Sequence, residues 1–489
     1  MTSGSLTQPA RTAMTQLSPN SSSGEERTEP TDGFAIDTTR RTTREALGDY
    51  VARLRGGQLG ALPALLGLLT LFVVFTVLSD RFLTLGNLAN LLGQGAGIVV
   101  IAMGLVFVLL LGDIDLSAGT ASGVAASVLA LHLVNNGNLL GAMGTAVFLL
   151  FCGAIVLAVV LALMARLWIG AGLATLGLLL VVLGVPANPW LEILLAVCVG
   201  TAIGCLTGFL VARVGIPAFV VTLALFLAWG GVVLQFVGVG GTLGLRDDVL
   251  FAVANGSLPV WGSWLFALVA VLGYVALGWG RHLRQVRAGV VTAPTPLVLG
   301  KLGAVVLLAL VGTWLLTLNR SPNDQTVIAG VPYVVPIVLV LLVLGTLVLD
   351  RTRYGRHIYA VGGNREAARR AGIDVVKIRM SVFVVCSTVA AIGAVIYSSK
   401  VGSVDPQAGG GNTLLFAVGA AVIGGTSLFG GRGRLRDAVI GGTVIATIDN
   451  GLGLLGQPAA VVSIVTGVVL LLAASVDAVS RRRAAAVGR

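Results

Sequence analysis

From about Leu62 almost to its C-terminus, the sequence is one long apolar segment after another, with few charges between them. With 56% hydrophobic and 11% charged residues, and a mean hydropathy of +0.97, the chain cannot cover a soluble surface. In hydrocarbon every backbone polar group must be satisfied internally, and a helix does this within one segment. The sequence therefore predicts an all-α polytopic integral membrane protein of about 14 spans, with 12 to 14 compatible with the pattern. The spans fall near 60–79, 96–112, 118–134, 142–165, 168–185, 190–212, 217–238, 262–279, 301–318, 332–350, 380–398, 413–430, 437–455 and 458–477. Several are shorter than the roughly 20 residues of a straight crossing. Those are candidates for broken or re-entrant segments.

The net charge of +11 would suggest nucleic acid in a soluble protein. Here the basic residues sit in short connections between apolar runs, which is the positive-inside pattern, and no nucleic-acid module is visible. Arg166, Arg213, Arg281, Arg284, Arg287, the run from Arg351 to Arg379, Arg432, Arg434, Arg436 and Arg481 to Arg483 all fall in even-numbered connections or the C-terminal tail. The odd-numbered connections hold only Arg81, Arg246, Arg320 and Lys400. Both termini are thus expected on the cytoplasmic side of the membrane.

Four regions follow. Residues 1–40, rich in Ser, Thr, Gly, Pro and charge, are expected to be a disordered cytoplasmic tail. Residues 41–58 open on a capping box, Thr42 to Glu45, and continue with Leu47, Tyr50, Val51 and Leu54 at helical spacing. This predicts a basic amphipathic helix on the lipid surface. Residues 59–478 form the membrane domain and 479–489 a basic cytoplasmic tail.

Inside the spans, Gly200, Gly204 and Gly208 lay a smooth strip along one helix face, suited to close packing. Cys152, Cys198, Cys205 and Cys386 lie in apolar segments and read as packing residues. His132, His282 and His357 form no metal or catalytic pattern. The turn Gly112–Gly119 echoes Gly430–Asp437, either as a trace of an internal repeat or as two similar glycine turns.

The most informative connection runs from Arg351 to Asp374. Asn364 is a good N-cap, Glu366 places an anion in the first turn, Ala367 and Ala368 favour helix, and Gly372 is suited to end it. The Glu-Ala-Ala-x-x-x-Gly pattern, with Gly363 before it, resembles the coupling helix of ABC importer permeases. With its flank Tyr359-Ala-Val-Gly-Gly-Asn-Arg-Glu-Ala-Ala, it resembles the ribose, xylose and galactose branch of those permeases. Further segments resemble signatures of that branch in the same order: Asn87 to Gln94, read as a polar segment ahead of the second span; Gly112-Asp-Ile-Asp-Leu-Ser117; Gly215 to Leu223; Gly424 to Gly433; and Asn450-Gly-Leu. The resemblance covers roughly residues 82–477, and the length of 142–190 is similar to the longer xylose-type members.

That resemblance implies a non-catalytic subunit that translocates a monosaccharide, a pentose such as xylose being favoured over ribose or galactose. It implies an ABC ATP-binding subunit holding the ATP and Mg, with no cofactor in this chain, an extracytoplasmic sugar-binding protein, and a pair of permeases. Gly300-Lys301-Leu302 ends in Leu where a phosphate loop needs a hydroxyl, so no ATP site is legible here.

Two departures stand out. Asp113 replaces the second glycine of the Gly-Gly-Ile-Asp-Leu-Ser signature, and its reversion to Gly is expected to be tolerated. Ala228-Trp229 stand where relatives commonly carry a basic residue. Asp115 reads either as a cap for a helix starting near Ser117 or as part of the transport path. Asn87, Asn90, Gln94, Thr222 and Asn450 read either as a polar route for a sugar or as interhelical glue. The competing class is an ion-coupled secondary transporter, for which Asp113 and Asp115 are thin support.

Overall fold

A computed structural model describes residues 61–289, 293–321 and 326–487, with Glu45 and Gly48 besides, both helical. The tail and the amphipathic helix expected before residue 61 otherwise lie outside the described residues. The fold is helical, as the apolar runs require. Its helices are α1 Leu62–Leu78, α2 Leu85–Leu110, α3 Ala118–Val134, α4 Leu139–Met143, α5 Thr145–Met164, α6 Trp168–Val182, α7 Pro189–Phe209, α8 Ala218–Val237, α9 Asp248–Asn255, α10 Val260–Arg287, α11 Thr295–Thr317, α12 Val334–Arg351, α13 Arg353–Gly363, α14 Arg365–Arg370, α15 Val375–Val401, α16 Asn412–Ile423, α17 Leu435–Leu454 and α18 Ala459–Val487. Two short strands, β1 Leu243–Gly244 and β2 Ser403–Val404, pair antiparallel. Each predicted span coincides with one of these helices. Eight helices among the described residues are long and apolar enough to cross a bilayer, and others such as α3, α6 and α16 are shorter.

Several boundaries differ from the sequence reading, α10 running on to Arg287 and α11 starting at Thr295 among them, and two bear on the site. The second span starts at Leu85, because the Thr84 hydroxyl accepts the Asn87 amide and caps α2 there. The polar run Asn87 to Gln94 is therefore the first part of the helix and does not precede it. The span expected at 413–430 stops at Ile423. Gly425, Gly430 and Gly431 all take positive φ, which the chain uses to turn. At the C-terminus, α18 runs on through the basic residues to Val487, so most of the predicted tail is helix.

The core is built on α15. It packs antiparallel to α2, with Gly97 opposite Gly393 and Gly104 opposite Cys386. A Cβ on Gly393 would sit 2.6 Å from Ile101 Cγ1 and 2.9 Å from the Gly97 carbonyl. The Gly200, Gly204, Gly208 strip packs on the other side of α15, against Ser387, Val384 and Met380. Small residues here let three backbones approach closely, which in lipid replaces the missing hydrophobic drive. On the far side of α2 lies α17, with Gly95 against Ala446 and Gly442 against Val99. Cys198 and Cys205 pack on Gly177 and Gly170, and all four cysteines are free.

The connections segregate to two ends. At one end the Ala187 amide donates to Asn136, Leu245 to Gly402, Leu258 to Val331, and Tyr333 to Gly256. At the other, Gly431 donates to Leu110, Tyr359 to Gly433 and Arg365 to Leu111. The first set joins odd-numbered connections and the second joins even-numbered, arginine-rich ones. Residues 408–409 pack deep against Gly119 and Gly123 of α3. Both α3 and the short α16 thus follow a non-helical segment after a long helix, α2 and α15 respectively, and those long helices are antiparallel. This is the pattern of an inverted repeat. Its counterpart to the Gly112–Gly119 turn is 402–412. The Gly430 turn, noted as an echo, instead touches Gly112 directly.

Candidate functional site: a charged helix at one end and a carboxamide pocket at the other

At the arginine-rich end, the chain leaves α12 and Thr352 caps α13 by accepting the Gly355 amide at 3.1 Å. The sequence reading missed α13, because Gly355, Gly362 and Gly363 disguise it. Its buried face carries Ile358 and Val361. Burial pushes the Tyr354 phenol up to about 12, and raises that of Tyr359 as well. Both therefore stay protonated near neutral pH, and Tyr359 donates to the Gly433 carbonyl at 2.9 Å.

Asn364 separates α13 from α14, its side chain accepting the Ala367 amide at 2.9 Å. Gly372, at φ +81°, ends the turn after Ala371 in the left-handed conformation that glycine adopts freely. Ala368 is buried beneath α14, while Glu366 is half exposed and pairs with Arg369 and Arg370 on its own helix. The result is a short helix with a charged outer face, seated on the bundle between α13 and α15.

Asp113 is tied to the first residue of α14 through Arg365, and Asp115, Ser117 and Thr222 lie on or against the same turn as Asp113. Asp115 is fully buried, and its Oδ1 accepts from the Ser117 amide at 3.0 Å and hydroxyl at 2.6 Å. It closes the turn ahead of α3. Thr222 donates to the Ala218 carbonyl at 2.9 Å and the Ile114 carbonyl at 3.2 Å, holding α8 to that turn. Asp113 binds Arg365 and Arg379. Sequence reasoning missed both arginines, which looked like ordinary members of a basic connection.

At the opposite end, the start of α2 and the end of α17 bring Asn87, Asn90, Gln94 and Asn450 together. Asn450 exchanges hydrogen bonds with Asn87 and donates to Gln94 Oε1 at 3.0 Å. These four line a cavity of about 450 Å³, together with Asn412, Asp449 and Gln457. Phe416, Leu454 and Val462 supply apolar wall. Sequence reasoning missed Asp449, although a carboxylate in an apolar run beside Asn450 marks it, and it missed Asn412 and Gln457, which carry no local signal. Sequence reasoning also missed a pair at this end: His132 Nδ1 lies 2.7 Å from Glu192 Oε1, both buried, tying α3 to α7. No cluster of three metal-ligating residues is present among the described residues.

A bundle of apolar helices, with a charged helix at one end and a polar cavity at the other, is the architecture of a membrane permease, multi-pass in the cytoplasmic membrane. The chain belongs to the family described as branched-chain amino acid transport system / permease component, whose pattern matches residues 169–474. It is 30% identical over 417 residues to the xylose transport system permease protein XylH of Escherichia coli K12, covering 85% of this chain and 91% of that one. It is 29% identical over 434 residues to the protein of the same name from Haemophilus influenzae, covering 88% and 99%. The ribose import permease protein RbsC of Escherichia coli K12 is 29% identical over 414 residues, covering 85% and 92%. No solved structure matches the chain significantly.

Proposed function

We propose that this chain is the membrane-spanning subunit of an ATP-driven importer of a monosaccharide, with xylose favoured. An ABC ATP-binding subunit, holding the ATP and Mg, engages α14 from the cytoplasm. A separate binding protein delivers sugar at the carboxamide end, and two permease subunits, identical or closely related, enclose the path. Alternating access follows as the ATP-binding subunits close and move α14.

The observation that carries the cargo is the chemistry of the cavity. Six carboxamides and one carboxylate line it, with Phe416 as a flat apolar wall. Carboxamides both donate and accept, as a ring of hydroxyls requires. A branched-chain amino acid, which the family description would suggest, needs a cation for its carboxylate, and the lining residues include none. The relatives named for xylose and ribose support the same choice. An ion-coupled mechanism is less well supported: of its two candidate acids, Asp113 is bound by two arginines, and Asp115 is engaged with the Ser117 amide and hydroxyl that close its turn.

The test is uptake into cells or proteoliposomes carrying the whole transporter, using labelled xylose, ribose, galactose and leucine. Uptake of a monosaccharide and exclusion of leucine is expected. Leucine uptake without sugar uptake would overturn the cargo.

A further inference from the structure

Asp113 stands where the resemblance expects glycine, and the structure gives it three cationic contacts. Arg379 grips it with two edges, Nε to Oδ2 at 2.6 Å and Nη2 to Oδ1 at 2.8 Å. Arg365 Nη2 reaches the same Oδ1 at 2.9 Å. The carboxylate is 6% exposed, against 16% for Arg379 and 44% for Arg365. The arginines hold backbone as well, Arg365 the Leu111 carbonyl at 3.0 Å and Arg379 the Val211 carbonyl at 3.1 Å.

Four elements therefore meet at one carboxylate: the turn after α2, the π-helical turn 210–214 that ends α7, the base of α15, and the first residue of α14. Beside it, backbone packs on backbone. Gly431 donates to Leu110 at 2.9 Å, and Gly362 lies so close to the Leu110 carbonyl that a Cβ would collide. That contact fixes how near the segments lie but gives no side-chain grip along their length. The bidentate ion pair supplies the directional hold, as a planar guanidinium on a carboxylate does.

We propose that Asp113 is a positioning residue for energy coupling: through Arg365 it pulls the α2–α3 turn and the base of α15 along with α14. The proposal rests on the reading of α14 as the docking helix. It also reverses the expectation that Asp113→Gly is harmless, because that change leaves two neighbouring guanidiniums facing each other without their shared anion.

The experiment measures labelled sugar imported per ATP hydrolysed by the reconstituted transporter, using xylose, or ribose or galactose where the uptake panel identifies one of those. Asp113→Asn should lower that ratio at least tenfold, and Asp113→Glu should restore part of it. Arg365→Gln breaks only the exposed arm and leaves the Asp113–Arg379 pair, so it is the variant least exposed to a folding defect. It should lower the ratio severalfold. A wild-type ratio in Arg365→Gln and Asp113→Asn would overturn the proposal, and if Asp113→Asn fails to accumulate, Arg365→Gln decides alone. Glu366→Arg separates the underlying reading. If that variant assembles and transports normally, the docking assignment itself falls. If it does not, and the Asp113 variants keep their ratio, only the clamp falls.

Discussion

Asn87 and Asn450, 363 residues apart in sequence, exchange a reciprocal pair of hydrogen bonds, each at 2.9 Å. Each amide donates and accepts in the same contact, so the pair joins the start of α2 to the end of α17 without a charge. With Gln94 it forms part of the polar wall of the carboxamide cavity.

Replacing Asn450 by Leu keeps the volume but removes the partner of both Asn87 and Gln94. Asn87 and Gln94 are half-buried, and losing a hydrogen bond at each costs about 0.5–1.5 kcal/mol, while every 1.4 kcal/mol is tenfold in binding. Sugar uptake per molecule of protein is expected to fall at least ~10-fold, while Asp449→Asn, which keeps shape and hydrogen bonding, should retain most of it. Uptake by Asn450→Leu that simply tracks abundance would make the amides structural glue.

Orientation follows from the arginine-rich end. With the native cysteines replaced by alanine, Val239→Cys in a fully exposed turn should react with an impermeant thiol reagent on whole cells, and Arg369→Cys should not. The reverse pattern would invert the topology and remove α14 from the ATP-binding side.

The glycine crossing predicts a sharp steric contrast. Gly393→Val forces a branched side chain into Ile101 and the Gly97 carbonyl, where overpacking costs about 1–3 kcal/mol or more. Its thermal midpoint in detergent should drop by several degrees, while Gly300→Ala, with open space around it, should be neutral. Equal midpoints would mean that α2 and α15 do not cross there.

Much of the helix order was legible, because apolar runs and arginine placement respond to the bilayer itself. The short helix α14 was legible too, since Asn364 and Gly372 are local capping signals. What could not be read was everything set by contacts distant in sequence. Asp113 looked like a blemish in a glycine turn because Arg379 lies 266 residues away. Asn412 and Gln457 join the cavity only because α16 and α17 fold back on α2. The residues 408–409 that enter the bundle against α3 carry turn signals but no mark of depth.

Asp115 offers a test of side-chain role at the same turn. Asparagine can still accept from the Ser117 amide and hydroxyl, whereas alanine cannot. Asp115→Asn should keep most transport, and Asp115→Ala should lose more and unfold at a lower temperature, at a cost of about 1–3 kcal/mol. If both variants are well folded and equally inactive, the carboxylate charge is itself required for transport.

The central claim is that ATP bound by a partner drives movement through this chain by way of α14. Its most direct measurement is sugar uptake into proteoliposomes holding the permease, its ATP-binding subunit and its binding protein, with ATP present or absent and with ion gradients collapsed. Uptake that requires ATP, survives collapse of the gradients and is lost in Glu366→Arg is the expected result. Uptake that follows an ion gradient and ignores both ATP and Glu366→Arg would contradict it.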